Sequence, residues 1–281
     1  MEFPTSLAGY TLGKIIGKTL QSTVYQATVT TTSHPVVIKT ITYTDTIMES
    51  AILECQRLIM LEHPNIIQLH TCFADEDKLY LIMPRMGSDL KQYIDQANKK
   101  GEPLDQPTIL SIFKQVLKGL QHLHDHGFTH RDIKAANIFV DEDGLIKLGD
   151  FGTLQESKDC KTFIGTPNWM APEIVEQLRK YDQSADVWSL GILMYELING
   201  IPPYFKLQPL QIMLNIIQNP VPPIETAETE DGWVISKVDS KIKRLIGSCL
   251  NKKPELRPSV NELLNHRSIR SIKDGFRLPV G

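Results

Sequence analysis

The sequence predicts an α+β fold made of a small β-rich lobe and a larger, mainly helical lobe. Three observations predict it: apolar runs of strand length concentrate before residue 84, helical apolar periodicity dominates after residue 87, and a single hairpin interrupts the helical part. A chain of 281 residues with 41% hydrophobic residues is long enough to bury such a core. We expect an N-terminal tail (1–9), a β-rich lobe (10–84), a connection followed by the helical lobe (85–270), and a C-terminal tail (271–281).

Short runs of β-branched, aromatic and other apolar residues define the first lobe. These runs are 10–12, 23–25, 36–38 and 79–83. The first two flank a turn-like stretch and predict a hairpin. Between the later runs, residues 47–61 carry apolar side chains at helical spacing, and Pro64 prevents the helix from continuing.

The second lobe is predicted from two long apolar patterns. Residues 109–123 place apolar side chains on one helical face that ends at Gly127, and 187–197 are nearly all apolar, which is typical of a buried helix. The interrupting hairpin pairs 138–140 with 145–148 across a glycine-bearing turn.

Charge and composition exclude several classes of protein. The formal net charge is −3, from 30 Lys+Arg against 33 Asp+Glu, so neither nucleic acid nor an anionic membrane is expected as a partner. No apolar stretch approaches the roughly 18 residues of a membrane span, and the N-terminus lacks the basic and apolar regions of a signal peptide. The four cysteines have no metal-type spacing, which is typical of a reducing compartment. We expect a cytoplasmic protein.

Acidic and amide side chains flank the hairpin. The segment 130–137 (HRDIKAAN) precedes its first strand, and Asp150 begins an Asp-Phe-Gly triplet after its second. Because a short hairpin returns its two ends to one place, Asp132, Asn137 and Asp150 should converge. Two carboxylates and an amide oxygen suit Mg²⁺. A lone Asp-Phe-Gly is better explained as a loop than as a metal site, but the two motifs together around one hairpin favour the metal site.

These motifs, followed by 165–173 (GTPNWMAPE), resemble those of the protein kinase family, and the resemblance covers about residues 10–270. The longer segment 161–173 is similar to the sterile-twenty group of Ser/Thr kinases. Residues 176–182 and 214–226 are most similar to its Fray branch, the oxidative-stress-responsive and proline-alanine-rich kinases. The resemblance implies a bilobal kinase fold and phosphate transfer from ATP, with Mg²⁺, to Ser or Thr hydroxyls of protein substrates.

The resemblance also assigns roles near the hairpin. Asp132 would accept the proton of the substrate hydroxyl, and Lys134 would contact the γ-phosphate. Asn137 and Asp150 would hold Mg²⁺. Thr166 would hydrogen-bond both Asp132 and Lys134, as a structural part of the site rather than a phosphorylation site.

In the β-rich lobe, 36–39 matches the strand motif whose lysine, here Lys39, contacts the α- and β-phosphates. Its helical partner is predicted to be Glu54, which lies ten residues before Pro64. Glu49 is the alternative.

The predicted glycine-rich loop departs from the family pattern GxGxxGxV. Gly17 and Val24 are kept, but Thr19 and Ser22 replace the other two glycines. A Cβ at these positions restricts the backbone, so ATP would bind less tightly or the loop would be stiffer. This departure favours an alternative function, a pseudokinase that acts as an allosteric scaffold for a partner kinase. The lysine, the catalytic aspartate and both metal ligands are present, which favours the enzyme.

The resemblance assigns the connecting segment to adenine. Met83 would be the gatekeeper, and adenine would bond to the carbonyl of Pro84 and to the backbone of Met86. Proline lacks only the N–H, so the carbonyl that adenine needs is kept.

Regulatory and supporting residues follow from the same resemblance. Thr162 occupies the activating phosphorylation site, and its phosphate would pair with Arg131. Asp186 would fix the catalytic loop, and Glu173 would pair with Arg257. An upstream activating kinase or a scaffold is implied as a partner, and the group also allows homodimers.

Three closely spaced histidines are expected to have no functional role. His122, His124 and His126 cannot all face one metal ion from a helix, so core or solvated positions are expected for them.

Overall fold

A computed structural model describes residues 2–19, 22–42, 45–157, 160, 165–177, 180–224 and 237–279; for 45–51 and 54 it describes the backbone alone. The chain separates into two compact units, one ending at Met86 and the other starting at Gly87.

The first unit is built on a five-stranded antiparallel sheet with strand order β1-β2-β3-β5-β4. Among its described residues the elements are β1 (Tyr10–Lys18), β2 (Ser22–Val29), β3 (Pro35–Thr42), α1 (Asp45–Met60), β4 (Thr71–Asp75) and β5 (Lys78–Pro84). The predicted hairpin is confirmed, since β1 pairs with β2. The predicted helix corresponds to α1. The edge strand β4 was not predicted.

Alternating burial explains how β3 is held. Val36, Ile38 and Thr40 are buried, and the residues between them are less so. Val36 and Ile38 belong to a core cluster on the sheet that also contains Phe73 from β4 and Tyr80 from β5. One face of the sheet therefore carries this cluster, and Ile41, Leu79 and Leu81 are buried on the opposite face.

The second unit is mainly helical. Its helices among the described residues are α2 (Leu90–Lys99), α3 (Gln106–Asp125), α4 (Pro172–Glu176), α5 (Ser184–Asn199), α6 (Pro209–Gln218), α7 (Ser240–Cys249), α8 (Val260–Asn265) and α9 (Arg267–Arg270). Its short strands are β6 (Ser88–Asp89), β7 (Phe128–Thr129), β8 (Ile138–Val140), β9 (Ile146–Leu148) and β10 (Gln155–Glu156). The α+β class predicted from the sequence is confirmed.

Helix α3 follows the sequence signals closely. Asp105 caps its start, because its carboxylate accepts a hydrogen bond from the Thr108 amide at 2.8 Å. The helix ends just before Gly127, whose φ of 78° is the left-handed conformation that glycine adopts most readily.

Helix α5 is the buried centre of this unit. Every residue from Ala185 to Asn199 is buried, as expected for a helix that is apolar on nearly all sides. Gly191 is required for close packing, since a Cβ there would lie 2.7 Å from a side-chain carbon of Leu250. Gly200, with φ 79°, ends the helix.

The predicted hairpin is confirmed as β8 and β9, which pair over three residues each and join β6 in a three-stranded sheet. Its base is closed by a hydrogen bond of 3.0 Å from the Gly149 amide to the Asn137 carbonyl. The two ends of the hairpin therefore meet, which is the feature that positions the site described below. No helix in the described part of the chain has both the length and the apolar character needed to cross a membrane.

Candidate active site

The loop between β7 and β8 places Asp132 at the centre of a hydrogen-bonded cluster. Asp132 is 7% exposed. Its Oδ1 accepts from the Thr166 hydroxyl at 2.8 Å, and its Oδ2 accepts from the Lys134 ammonium at 2.6 Å and the Asn137 amide nitrogen at 2.7 Å. Lys134 also donates to the Thr166 hydroxyl at 2.6 Å. Three predicted site residues, Lys134, Asn137 and Thr166, thus bond to the Asp132 carboxylate.

This cluster keeps the Asp132 carboxylate ionised. Burial opposes ionisation, but the hydrogen bond and positive charge of Lys134, with the bonds from Thr166 and Asn137, outweigh it and hold the pKa of Asp132 below its ordinary value. An ionised carboxylate is a pure hydrogen-bond acceptor, so the site can receive a proton from a hydroxyl group placed beside it.

Asn137 and Asp150 have the oxygens that a hard cation needs. The Asn137 amide nitrogen is committed to Asp132, both to Oδ2 and to the backbone carbonyl at 2.8 Å, so its amide oxygen is the atom left for a cation. Asp150 is exposed, and it directly follows Gly149, which closes the hairpin base on Asn137. Its φ of 57° is left-handed, a strained conformation often found at functional sites. This oxygen-donor set fits Mg²⁺.

Asp186, at the start of α5, stabilises the loop between β7 and β8 through hydrogen bonds. Its fully buried carboxylate accepts hydrogen bonds from the backbone amides of His130 and Arg131, both at 2.8 Å. The His124 ring lies 2.9 Å from the same carboxylate. Burial opposes ionisation of Asp186, but His124, His130 and the Arg131 amide outweigh it and lower its pKa.

His124 occupies a core position, one of the two that were expected for these histidines, and there its ring is a direct partner of Asp186. The histidine itself gave no sign of which carboxylate it would meet.

Arg131 is bound to the segment that follows the hairpin. Its guanidinium donates to the Thr153 carbonyl, to the Gln155 side chain and, at 3.4 Å, to the Tyr181 hydroxyl. Its φ of 73° is also left-handed. Thr162, which we predicted to carry a phosphate near Arg131, lies outside the described residues.

Glu196 is a buried carboxyl group that was not predicted from the sequence. Its Oε2 accepts from the Ala135 amide at 3.2 Å and from the Trp169 indole nitrogen at 3.1 Å. Burial raises its pKa to about 7, against the hydrogen bonds from Ala135 and Trp169, which lower it. Glu196 therefore links the catalytic loop to the segment after Thr166. One signal was present, since it is an acidic residue within the apolar run 187–197.

Glu173 and Arg257 form a bidentate ion pair with N–O distances of 2.7 and 2.8 Å. Both residues are buried, and the guanidinium also lies 5.3 Å from the centre of the Trp188 ring. The pair ties α4 to the segment before α8. The family resemblance had assigned these two residues to each other.

The residues assigned to ATP in the first unit are neighbours in the sheet. Gly17 pairs with Val24, and Val24 pairs with Lys39. Met83 and Pro84 pair with the β3 residues two and three positions before Lys39. These five residues and Met86 are half-buried.

The helical partner of Lys39 stays a prediction with two alternatives. The side chains of Glu54 and Glu49 lie outside the described residues, although the backbone of α1 is described through both.

Thr19 and Ser22, which replace two glycines of the family pattern, bond to each other. The Thr19 hydroxyl lies 2.9 Å from the Ser22 hydroxyl and accepts from the Ser22 amide at 3.0 Å. The Thr19 amide donates to the Ser22 carbonyl at 2.8 Å. These bonds join the residue after β1 to the first residue of β2.

Comparison with known proteins gives a consistent result. The protein kinase domain profile matches residues 10–269. The chain is 35% identical to Germinal center kinase 3 of Caenorhabditis elegans, over 97% of this chain and 49% of that protein. It is 34% identical to serine/threonine-protein kinase fray1 of Dictyostelium discoideum, over 97% and 48% respectively. It is 35% identical to human serine/threonine-protein kinase TAO3, over 88% and 27%. The chain thus spans about half the length, or less, of these relatives.

Proposed function

The chain belongs to the protein kinase family, and we propose on that basis that it transfers the γ-phosphate of ATP to serine or threonine hydroxyls of protein substrates. The observation that carries the proposal is the Asp132 cluster, in which Lys134, Thr166 and Asn137 hold one carboxylate ionised. The names of the relatives, which are serine/threonine kinases, support the choice of acceptor.

Asp132 orients the acceptor hydroxyl and receives its proton in this proposal. Both carboxylate oxygens are fixed by donors, so the group has one orientation when the hydroxyl arrives. A positioned proton acceptor contributes about 10²–10⁴-fold to a reaction of this kind. Lys134 supports the same step, because its ammonium places positive charge beside the carboxylate where the phosphoryl group is to be transferred.

Asn137 and Asp150 would hold Mg²⁺, whose charge offsets that of the ATP phosphates when it is bound. Asn137 serves both purposes, since its nitrogen orients Asp132 while its oxygen is left for the cation. Lys39 is assigned to the α- and β-phosphates, and Glu54 to holding Lys39. Gly17, Val24, Met83, Pro84 and Met86 are assigned to the remainder of the nucleotide.

One observation favours a second candidate function, a pseudokinase scaffold. The hydroxyl bonds between Thr19 and Ser22 stiffen the turn whose flexibility the family uses over the phosphates. This change affects the affinity for ATP and leaves the Asp132 cluster complete. We therefore retain the enzyme as the proposed function.

Regulation by phosphorylation is a further part of the proposal. A phosphate on Thr162 would add close to two negative charges near the arginine beside the catalytic aspartate. It would compete with Gln155 and Tyr181 for the Arg131 guanidinium. Phosphorylation of Thr162 would then replace these contacts of Arg131 and order the segment around Thr162 differently. An upstream kinase is the partner that this step requires.

The proposed function is tested by measuring transfer of labelled phosphate from Mg²⁺-ATP to a generic Ser/Thr protein substrate. The wild-type chain should label it, and Asp132→Asn, which keeps the size of the side chain, should serve as the blank. Equal signals from the two proteins would refute the enzyme and favour the scaffold. Separate serine and threonine peptide arrays would define the acceptor.

A further inference from the structure

The segment 272–278, here called the strap, crosses helix α3. It ends on the turn between β8 and β9, the two strands here called the catalytic hairpin. At its end the Leu278 amide donates to the Gly144 carbonyl at 2.8 Å. Leu278 is only 2% exposed, although it lies close to the end of the described chain. An apolar residue buried to this extent shows that the strap is docked on the helical unit.

Gln115 of α3 connects the strap to the hairpin through one side chain. Its Oε1 accepts from the Ile146 amide of β9 at 3.1 Å, and its Nε2 donates to the Phe276 carbonyl of the strap at 3.3 Å. Gln115 is 9% exposed. The buried amide of Ile146 and the half-buried carbonyl of Phe276 are therefore both bonded to this side-chain amide.

The turn of the hairpin is shaped to receive the strap. Gly144 has a φ of 78°, and a Cβ at this position would lie 2.1 Å from the Leu278 carbonyl oxygen and 2.8 Å from its nitrogen. Real Cβ atoms do not approach backbone so closely. Any larger residue at 144 must displace the strap.

Ionic contacts hold the other end of the strap. Lys114 donates to the Ile272 carbonyl at 2.6 Å, and Lys114 and Lys118 lie 2.9 and 2.7 Å from the Asp274 carboxylate. The two lysines lower the pKa of Asp274 to about 2. Because the Asp274 side chain is 68% exposed, solvent screens this contact, and the buried end of the strap is the stronger anchor.

The hairpin is short enough to transmit a displacement. Strands β8 and β9 have three residues each. Asn137, assigned to the cation, directly precedes β8, and Asp150, the other residue assigned to it, lies two residues after the end of β9. At about 3.3 Å per residue the turn lies only about 10 Å from that base.

We propose that the strap positions the catalytic hairpin, with Gln115 and Leu278 acting as positioning residues for Asn137 and Asp150. The inference rests on the proposed function in one respect, that these two residues serve phosphate transfer. Displacing or covering the strap would then change the positions of Asn137 and Asp150.

The test compares Gly144→Ala with Gly101→Ala. Gly101 has a φ of 70° and open space around its Cβ position, so the control reproduces the backbone strain without the clash. Gln115→Met is the second variant, since it removes both amide bonds at similar volume. For each protein we would measure kcat, the KM for peptide, the Mg²⁺ concentration that gives half-maximal rate, and hydrogen exchange at the Leu278, Ile146 and Gly149 amides.

We expect Gly144→Ala and Gln115→Met to exchange faster at all three amides and to need about tenfold more Mg²⁺, as is typical when support for a metal ligand is removed. Their KM for peptide should not change, and Gly101→Ala should match the wild type. The proposal is wrong if both variants keep the wild-type Mg²⁺ requirement and kcat, or if neither speeds exchange at Leu278. A wild-type chain with no transferase activity would refute the proposed function instead. In that case, faster exchange at the Gly149 amide in the two variants would support the positioning role of the strap, and wild-type exchange there would refute it.

Discussion

Replacing Glu196 by glutamine should change how the stability of the protein depends on pH. The side chain is 1% exposed, and its carboxyl group receives hydrogen bonds from the Ala135 amide and the Trp169 indole. Burial raises its pKa to about 7 from an ordinary 4.5. The folded protein therefore holds the proton more tightly than the unfolded chain does, and the ionised form is the one that folding disfavours.

The sign and size of the effect follow from this pKa. The contribution of Glu196 is most favourable below pH 4.5 and is lost as the pH rises to about 7. The loss amounts to about 3 kcal/mol in the free energy of unfolding. For a unit of this size, that corresponds to a melting temperature lower by about 10 °C. A glutamine at position 196 keeps a side-chain oxygen that can accept from the Ala135 amide and the Trp169 indole, and it does not titrate.

Thermal unfolding of the wild type and Glu196→Gln at pH 5 and at pH 8 measures the effect. Because part of the loss has already occurred at pH 5, the variant should gain about 7 °C relative to the wild type between the two pH values. Glu142→Gln, at an exposed position in the hairpin turn, is the control and should show no such gain. If the difference between wild type and Glu196→Gln is the same at both pH values, Glu196 is not a proton-holding buried acid, and the reasoning is refuted.

Three further predictions concern the supporting residues. Glu173→Gln should lower the free energy of unfolding by about 3–5 kcal/mol, because it leaves the buried Arg257 guanidinium without its charge partner. Glu176→Gln, at an exposed position of the same helix, is the control and should leave this free energy unchanged. Chemical denaturation measures both variants. Asp186→Asn should lower kcat with a smaller change in the KM for ATP, since two loop amides lose a charged acceptor; steady-state kinetics would contradict this if kcat were unchanged. Thr162→Ala should fail to gain activity after treatment with an upstream kinase that activates the wild type, and equal gains would exclude Thr162 as the activating site.

Local sequence signals were sufficient for the framework of the site. The hairpin was predicted from two short apolar runs and a glycine-bearing turn, and a hairpin this short leaves its flanking residues no freedom to separate. The proximity of Asn137 to the residue after β9 follows from that alone. The buried character of α5 was equally plain from its apolar run.

Contacts between distant segments were beyond such reasoning. Thr166 reaches Asp132 across 34 residues, and only the family resemblance indicated the contact. The contacts of His124 and Glu196 were missed because a polar side chain on a helix is usually solvated, and only the tertiary packing shows which buried partner it meets. The edge strand β4 lacks clear alternation and forms because β5 provides a pairing partner.

The central claim is that Asp132 acts on the acceptor hydroxyl and not on nucleotide binding. Its most direct test measures, for the wild type and Asp132→Asn side by side, the affinity for Mg²⁺-ATP and the rate of phosphate transfer in a single turnover. We predict that the affinity stays within about twofold while the transfer rate falls by about 10²–10⁴-fold. An unchanged transfer rate, or an equal loss of affinity and rate, would contradict the claim.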